Sequence, residues 1–287
     1  MAERMVEANG VELCTDALGD PIDPAILLIM GVGGSMLWWE DGFCQMLADA
    51  GRFVIRFDHR DTGRSVTYEP GRPGYTGADM VADARGVLDG YGLPAANVVG
   101  VSAGGAFAQH LALDFPDRVL SLVLISTSPA TPGARGLPSP TAAFGEFVAT
   151  AHVDWSDAES VIEYLTGYSR MLAGDRRRFD EDDRRALVRR DVERACNIAV
   201  LQNHDAIPDS GRSYAALSSI TPPTLVIHGT ADPMFPPRHG EALAAEIPGA
   251  RLLLLDEAGH GVDKADWHTI VAAIVEHTAP ADQTDIR

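Results

Sequence analysis

Six short segments of this chain, 26–30, 53–57, 97–101, 122–125, 224–228 and 251–255, are apolar at almost every successive position. A strand with one wet face alternates apolar and polar residues, whereas a strand covered on both faces reads as a continuous apolar run. Between these runs, residues 43–50, 78–91, 104–114, 240–246 and 267–277 carry apolar side chains at helical spacing. Strand and helix in alternation predict a doubly wound α/β domain with a mostly parallel sheet. Residues 6–18 differ. They alternate around Asn9-Gly10, a tight-turn pair, and predict an antiparallel hairpin ahead of the parallel strands.

The alternation breaks once. From 130 to 219 no strand-like run occurs, and the stretch opens with Pro129, Pro132, Pro138 and Pro140. It continues with charge-rich helical sequence such as 175–195 and closes before Pro222 and Pro223. The sheet pattern resumes directly afterwards. We therefore read 130–219 as a helical cap inserted into a core made of 1–129 and 220–287. A chain of 287 residues, 46% hydrophobic, is long enough for one such core and a small cap. Within the cap, 181–194 reads mostly as a solvated face, and the polar stretch 279–287 reads as a frayed end.

The formal charge is −18, from 23 basic and 41 acidic residues. Such a surface repels phosphate backbones and anionic lipid heads, which argues against nucleic-acid and membrane-surface partners. Three cysteines far apart, Cys14, Cys44 and Cys196, form neither a disulfide framework nor a Cys-x-x-Cys metal pattern. The N-terminal residues carry charge with no apolar signal core behind them, and the apolar runs are too short to span a bilayer. A cytoplasmic location is the simplest expectation.

The chemistry is signalled first by Gly100-Val101-Ser102-Ala103-Gly104, which has the form G-x-S-x-G between a strand run and a helical stretch. A serine at so sharp a turn is forced into a strained backbone. Side chains two residues before and after it would collide, so both positions need to be glycine. The turn lifts the Ser102 hydroxyl above the sheet edge, at a helix N-terminus that favours developing negative charge.

A serine hydroxyl needs a base. Of the nine histidines, His260 sits in Glu257-Ala258-Gly259-His260-Gly261, directly after the last strand run and therefore at the carboxyl edge where Ser102 emerges. Its flanking glycines leave the imidazole room to swing. The third member is assigned to Asp232 in Gly229-Thr230-Ala231-Asp232-Pro233, at the same edge. There it can accept the Nδ1 proton of His260 and fix the tautomer. Asp256 and Glu257 lie closer in sequence but precede the histidine loop too tightly to turn back. Oxyanion donors are expected from the Ala103 N–H and from the glycine-rich loop Gly31-Val32-Gly33-Gly34, by the Val32 N–H or alternatively that of Gly33. An apolar slot is expected from Trp38, Trp39, Phe144, Phe147, Trp155, Tyr164 and Tyr168, with Gly33 and His204 beside it.

Taken together, several segments resemble the α/β-hydrolase superfamily over nearly the whole chain. They are Met30-Gly31, Asp58-His59-Arg60-Asp61-Thr62-Gly63-Arg64-Ser65, Gly100 to Gly105, Phe115-Pro116-Asp117-Arg118-Val119, His228-Gly229-Thr230-Ala231-Asp232 and Gly259-His260. Within that superfamily the chain is similar to enzymes of the aclacinomycin methylesterase type, which remove a methyl ester from an anthracycline-type polyketide. The resemblance implies the α/β-hydrolase fold with a helical cap, and a serine carboxylic-ester hydrolase taking a small-molecule ester and water without metal or cofactor. It maps the triad onto Ser102, Asp232 and His260, and gives 58–65 a structural role in support of the oxyanion loop. Many members carry His-Gly where this chain has Met30-Gly31. The same triad also serves cofactor-free haloperoxidases (perhydrolysis) and carbon–carbon bond hydrolases. A non-catalytic ligand-binding member of the fold would be expected to lack a triad residue. Dehalogenase and epoxide-hydrolase relatives place an aspartate at the elbow, where this chain has Ser102.

Overall fold

The computed structural model describes residues 3–133, 136–208 and 213–279; residues 280–287, the bulk of the expected frayed end, lie outside the described residues. The chain opens with a hairpin of β1 (Arg4–Ala8) and β2 (Val11–Leu18), turned by Asn9 at φ 50° and Gly10 at φ 74°. Six further strands follow: β3 (Ala25–Ile29), β4 (Phe53–Phe57), β5 (Ala96–Val101), β6 (Val119–Ile125), β7 (Thr224–Gly229) and β8 (Arg251–Leu255). They form one sheet in the order β1-β2-β4-β3-β5-β6-β7-β8, antiparallel only where β2 meets β1 and β4. The chain runs from β3 outward to β4 and then returns past β3 to β5. The loops after β3 and β5 therefore meet at the point where winding reverses, which is where ligand crevices form in open α/β sheets.

Alternate residues of the central strands feed two cores, which is the physical origin of the continuous apolar runs. Leu27, Ile29, Val98, Leu122 and Leu124 pack under α2 (Gly77–Gly90), α3 (Ala103–Asp114) and α7 (Arg238–Glu246). Ile26, Leu28, Val99, Val123 and Ile125 pack under α1 (Asp41–Asp49) and α8 (Trp267–His277). The apolar run of β8 departs from this pattern. It is the edge strand, paired only with β7, and Leu252 and Leu254 face solvent.

Between β6 and β7 stand α4 (Ala142–Thr150), α5 (Ala158–Ala173), α6 (Glu181–Arg194) and a 3-10 run, Ile198–Ala206, with no strand among the described residues. Val161, Ile162, Leu165, Val188, Val192 and Leu201 give these elements a core of their own. Helix α6 starts later than its charge-rich sequence suggests, at an N-cap where the Asp180 carboxylate accepts the Asp183 N–H. Nor is α6 only a solvated face. Asp191 is buried beside Leu187, Val188 and Val192, and Arg194 ion-pairs with the fully buried Asp58. Among the described residues no helix is long and apolar enough to cross a membrane.

Candidate active site

Strand β5 delivers Ser102 into a turn with φ 55° and ψ −125°, a conformation that costs about 1–3 kcal/mol in a non-glycine residue. The turn survives because its surroundings fix it. The Ser102 N–H donates to the Ile125 carbonyl at 3.0 Å, and Thr127 Oγ1 donates to the Ser102 carbonyl at 2.7 Å. A Cβ on Gly100 would lie 2.4 Å from the Gly104 carbonyl oxygen, and one on Gly104 would lie 2.2 Å from that of Ile29. The collision that makes Gly100 obligatory is thus with the start of α3. At Gly104 it is with the end of β3. We expect Gly104→Ala to cost about 1–3 kcal/mol, read as a lower denaturant midpoint at unchanged slope, because backbone rather than a flexible side chain would have to move.

Asp232 and His260 meet. The loops after β7 and β8 bring His260 Nδ1 to 2.8 Å from Asp232 Oδ2, while Asp232 Oδ1 accepts the N–H groups of Met234 and Phe235 at 2.9 and 2.8 Å. Burial alone would raise the Asp232 pKa. The charge and hydrogen bond of His260 and the amide bonds outweigh it, so the carboxyl stays below the usual range and ionised at neutral pH. A second histidine, His228, lies 3.7 Å from the same carboxylate, but its Nε2–H is taken by the Phe235 carbonyl and burial lowers its pKa.

The glycine beside His260 does the opposite of loosening it. A Cβ on Gly259 would sit 2.4 Å from the Ala173 carbonyl oxygen, so the loop can lie against the C-terminus of α5 only without one. There the His260 N–H donates to the Leu172 carbonyl at 2.8 Å, and the Gly261 N–H donates to Ser126 Oγ at 3.1 Å. The end of a helix between β6 and β7 thus anchors the histidine loop, and nothing in the sequence pattern signalled it.

The loop after β3 abuts the elbow. A Cβ on Gly31 would lie 3.1 Å from Ser102 Cβ and 3.6 Å from its Oγ. His59 donates its Nε2–H to the Met30 carbonyl at 2.8 Å, and Asp58 Oδ1 accepts the Met36 N–H at 2.9 Å, so the 58–65 segment braces this loop from behind. Of the two loop donors weighed from sequence, the Gly33 N–H is committed to His204 Nδ1 at 2.8 Å. The Val32 N–H has no partner among the described residues. Ala103 opens α3, so its N–H has no partner within the helix.

Of these groups, Val32, Gly33, Ser102, Ala103 and His260 border one cavity of about 750 Å³. The Ser102 hydroxyl and His260 Nε2 make no hydrogen bond among the described residues, so both atoms are uncommitted; catalytic contacts of this kind are often long without substrate and tighten when it binds. The upper wall comes from the stretch between β6 and β7, through Phe144 on α4, Trp155 in the turn after it and Tyr164 and Tyr168 on α5, with Trp38 and His204 beside them.

Two expected wall residues are not there. Trp39 turns away from its neighbour Trp38, is 1% exposed and stacks on Phe43 at 5.6 Å under the sheet. Phe147 stands behind the wall, stacked on Tyr164 at 6.1 Å. Residues the pattern missed are Met234 and Phe235, which follow Asp232 into the cavity, and Asp191. Asp191 accepts the Trp38 indole N–H at 2.6 Å and orients that ring; burial holds its pKa up. Phe235 could have been found from its place three residues beyond Asp232. Asp191 was hidden in a helix crowded with charge.

Known proteins resemble this chain over nearly its whole length. Rhodomycin D methylesterase DnrP of Streptomyces peucetius is 35% identical over 297 residues, covering 98% of this chain and 99% of that protein. The corresponding enzyme DauP of Streptomyces sp. (strain C5) is 36% identical with the same coverage. Among solved structures, the esterase of Exiguobacterium antarcticum superposes with a TM-score of 0.76 at 22% identity, over 96% of this chain and 99% of that one, a likeness of fold. The family described as alpha/beta hydrolase fold matches residues 24–262, and it is to this family that the chain belongs.

Proposed function

We propose that this chain is a serine carboxylic-ester hydrolase acting on a methyl ester of an apolar, ring-bearing acid. The observation that carries the reading is the His260–Asp232 bond at 2.8 Å, opening on the same cavity as a serine held in a strained turn. Ser102 is the nucleophile, and His260 takes its proton as the hydroxyl attacks the ester carbonyl. The Val32 and Ala103 amides hold the oxyanion. His260 then returns the proton to the departing methanol, and a water activated by the same ring releases the acid. The stretch 130–219 acts as the cap that walls the acyl side of the site. Three free cysteines, two of them buried, fit work in a reducing cytoplasm.

The cavity supports a bulky acyl group. Its volume of about 750 Å³ suits a polycyclic acid better than acetate, and Trp38, Phe144, Trp155, Tyr164 and Tyr168 offer flat apolar surface. The methylesterase relatives at 35–36% identity support the methyl leaving group. The test pairs a fluorophosphonate probe with a panel of methyl esters from acetate to fused-ring acids. Covalent labelling on Ser102, with kcat/KM rising along the panel, is the expected result. Failure of the probe to label a folded sample at neutral pH overturns the assignment. Turnover only with peroxide and halide, or only of a dienoic ketone, moves the same triad to perhydrolysis or carbon–carbon cleavage.

A further inference from the structure

We propose that His204 is a positioning residue for this reaction: it clamps Gly33 so that the Val32 amide, rather than that of Gly33, faces the oxyanion. The proposal rests on the serine-esterase reading and adds to it a residue from the 3-10 run Ile198–Ala206. The ring of His204 is tied at both ends, accepting the Gly33 N–H on Nδ1 at 2.8 Å and donating Nε2–H to the Arg60 carbonyl at 2.7 Å. Those two bonds fix one neutral tautomer, since an imidazolium has no lone pair for Gly33. They also leave the ring no nitrogen for a substrate, although it borders the cavity.

His59 and Asp58 brace the loop at its two ends, Met30 and Met36, but its middle has little else to hold it there. Gly33 lies at φ 76°, and a side chain on it would meet only Leu201, at 4.0 Å. The one other backbone bond within Gly31–Gly34 among the described residues is Gly34 N–H to the Gly31 carbonyl, long at 3.4 Å. The glycines on either side of Val32 have no rotamer or side-chain packing to keep their peptide planes aligned. Preorganised donors work because they need not reorient during the reaction, so a loop free to turn loses oxyanion stabilisation while substrate still binds. Because His204 belongs to the stretch between β6 and β7, the clamp also makes the oxyanion loop sensitive to how that stretch is seated.

The charge environment suits a ring that must stay neutral. His204 packs against His59 at 6.2 Å and Tyr75 at 6.5 Å between ring centroids, with the Asp61 and Asp205 carboxylates nearby. Burial pushes its pKa down, against the upward pull of the Arg60 carbonyl, Asp61 and Asp205. Acid therefore releases the clamp only at the low end of the activity range.

The test compares His204→Leu, which keeps bulk and removes both bonds, with His204→Asn, which keeps an amide oxygen close to the place of Nδ1. The Leu variant should lose about 10–10²-fold in kcat with KM within about threefold of the intact protein. It should lose affinity for a boronic acid that mimics the tetrahedral intermediate, while product acid binds as before. The Asn variant should recover most of kcat. A Leu variant within about threefold of normal kcat, or an Asn variant as slow as Leu, overturns the proposal. Should the Leu variant not fold, the acid limb decides. Log kcat should fall more steeply in the intact protein than in His204→Asn at the lowest pH, and parallel limbs count against the clamp. Turnover that survives Ser102→Ala would sink the esterase reading itself; dependence on Ser102 with indifference to His204 sinks only this inference.

Discussion

Ser102→Ala is expected to lower kcat/KM on any ester the protein accepts by at least ~10³-fold, with the folded state intact. The alanine removes one oxygen from a side chain whose hydroxyl holds no other group in place among the described residues, so the loss is chemical rather than structural. What activity remains would come from binding and from the Val32 and Ala103 amides acting on a water. The strained turn supplies a second reading from the same residue. Ser102 sits at φ 55° and ψ −125°, where glycine is at ease and other residues are not. Ser102→Gly should therefore be as inactive as Ser102→Ala yet unfold at higher denaturant, by about 1 kcal/mol, after glycine's greater unfolded-state entropy is subtracted from the relieved strain. An Ala variant that keeps its turnover removes Ser102 from the reaction. A Gly variant less stable than Ala would mean the elbow stores no strain.

Legibility in the sequence followed from how strictly physics constrains each part. A strand buried on both faces has no choice but a continuous apolar run, so β3 to β7 stood out; β8 shares the run but, at the edge, covers only part of it. The elbow was legible because two glycines and a serine satisfy a steric rule that few other sequences meet. Asp232 and His260 were legible by place, each directly after a strand at the carboxyl edge. The cavity wall was not. Trp38 and Trp39 are neighbours in a tight 3-10 turn, Met36–Trp38 and its cap, and successive residues there point to different sides, so one lines the cavity and the other the core. Phe144 and Phe147 share a helix face, yet one turn of translation moves the second behind Tyr164. Adjacency in sequence told which rings were near the site and could not tell which reached it. The two anchors of the active loops, the Leu172 carbonyl under His260 and the His204 ring under Gly33, have no compositional mark. Each depends on where a distant backbone comes to rest.

Asp232→Asn is expected to cost about 10⁴-fold in kcat while leaving KM and the fold nearly unchanged, the size of effect seen when a serine-hydrolase histidine is left in the wrong tautomer. The carboxylate does two jobs. Oδ1 receives the Met234 and Phe235 amides and shapes its own loop, and Oδ2 receives His260 Nδ1–H. An asparagine can keep the first by aiming its carbonyl at the two amides. Its NH₂ group then faces Nδ1 and forces the proton on the ring to Nε2, the atom that has to accept from Ser102. Fluorophosphonate labelling should slow in step with kcat, and an isolated product complex should not weaken. The carboxylate also links stability to acid. Its folded pKa lies below the ordinary value, so its contribution is present above the ordinary carboxylate range and is lost as pH falls through the depressed folded value. Asp232→Asn removes that dependence. Intact protein should therefore lose more stability than the variant between the ordinary carboxylate range and stronger acid. Equal losses would show that folding does not hold the Asp232 pKa below its ordinary value.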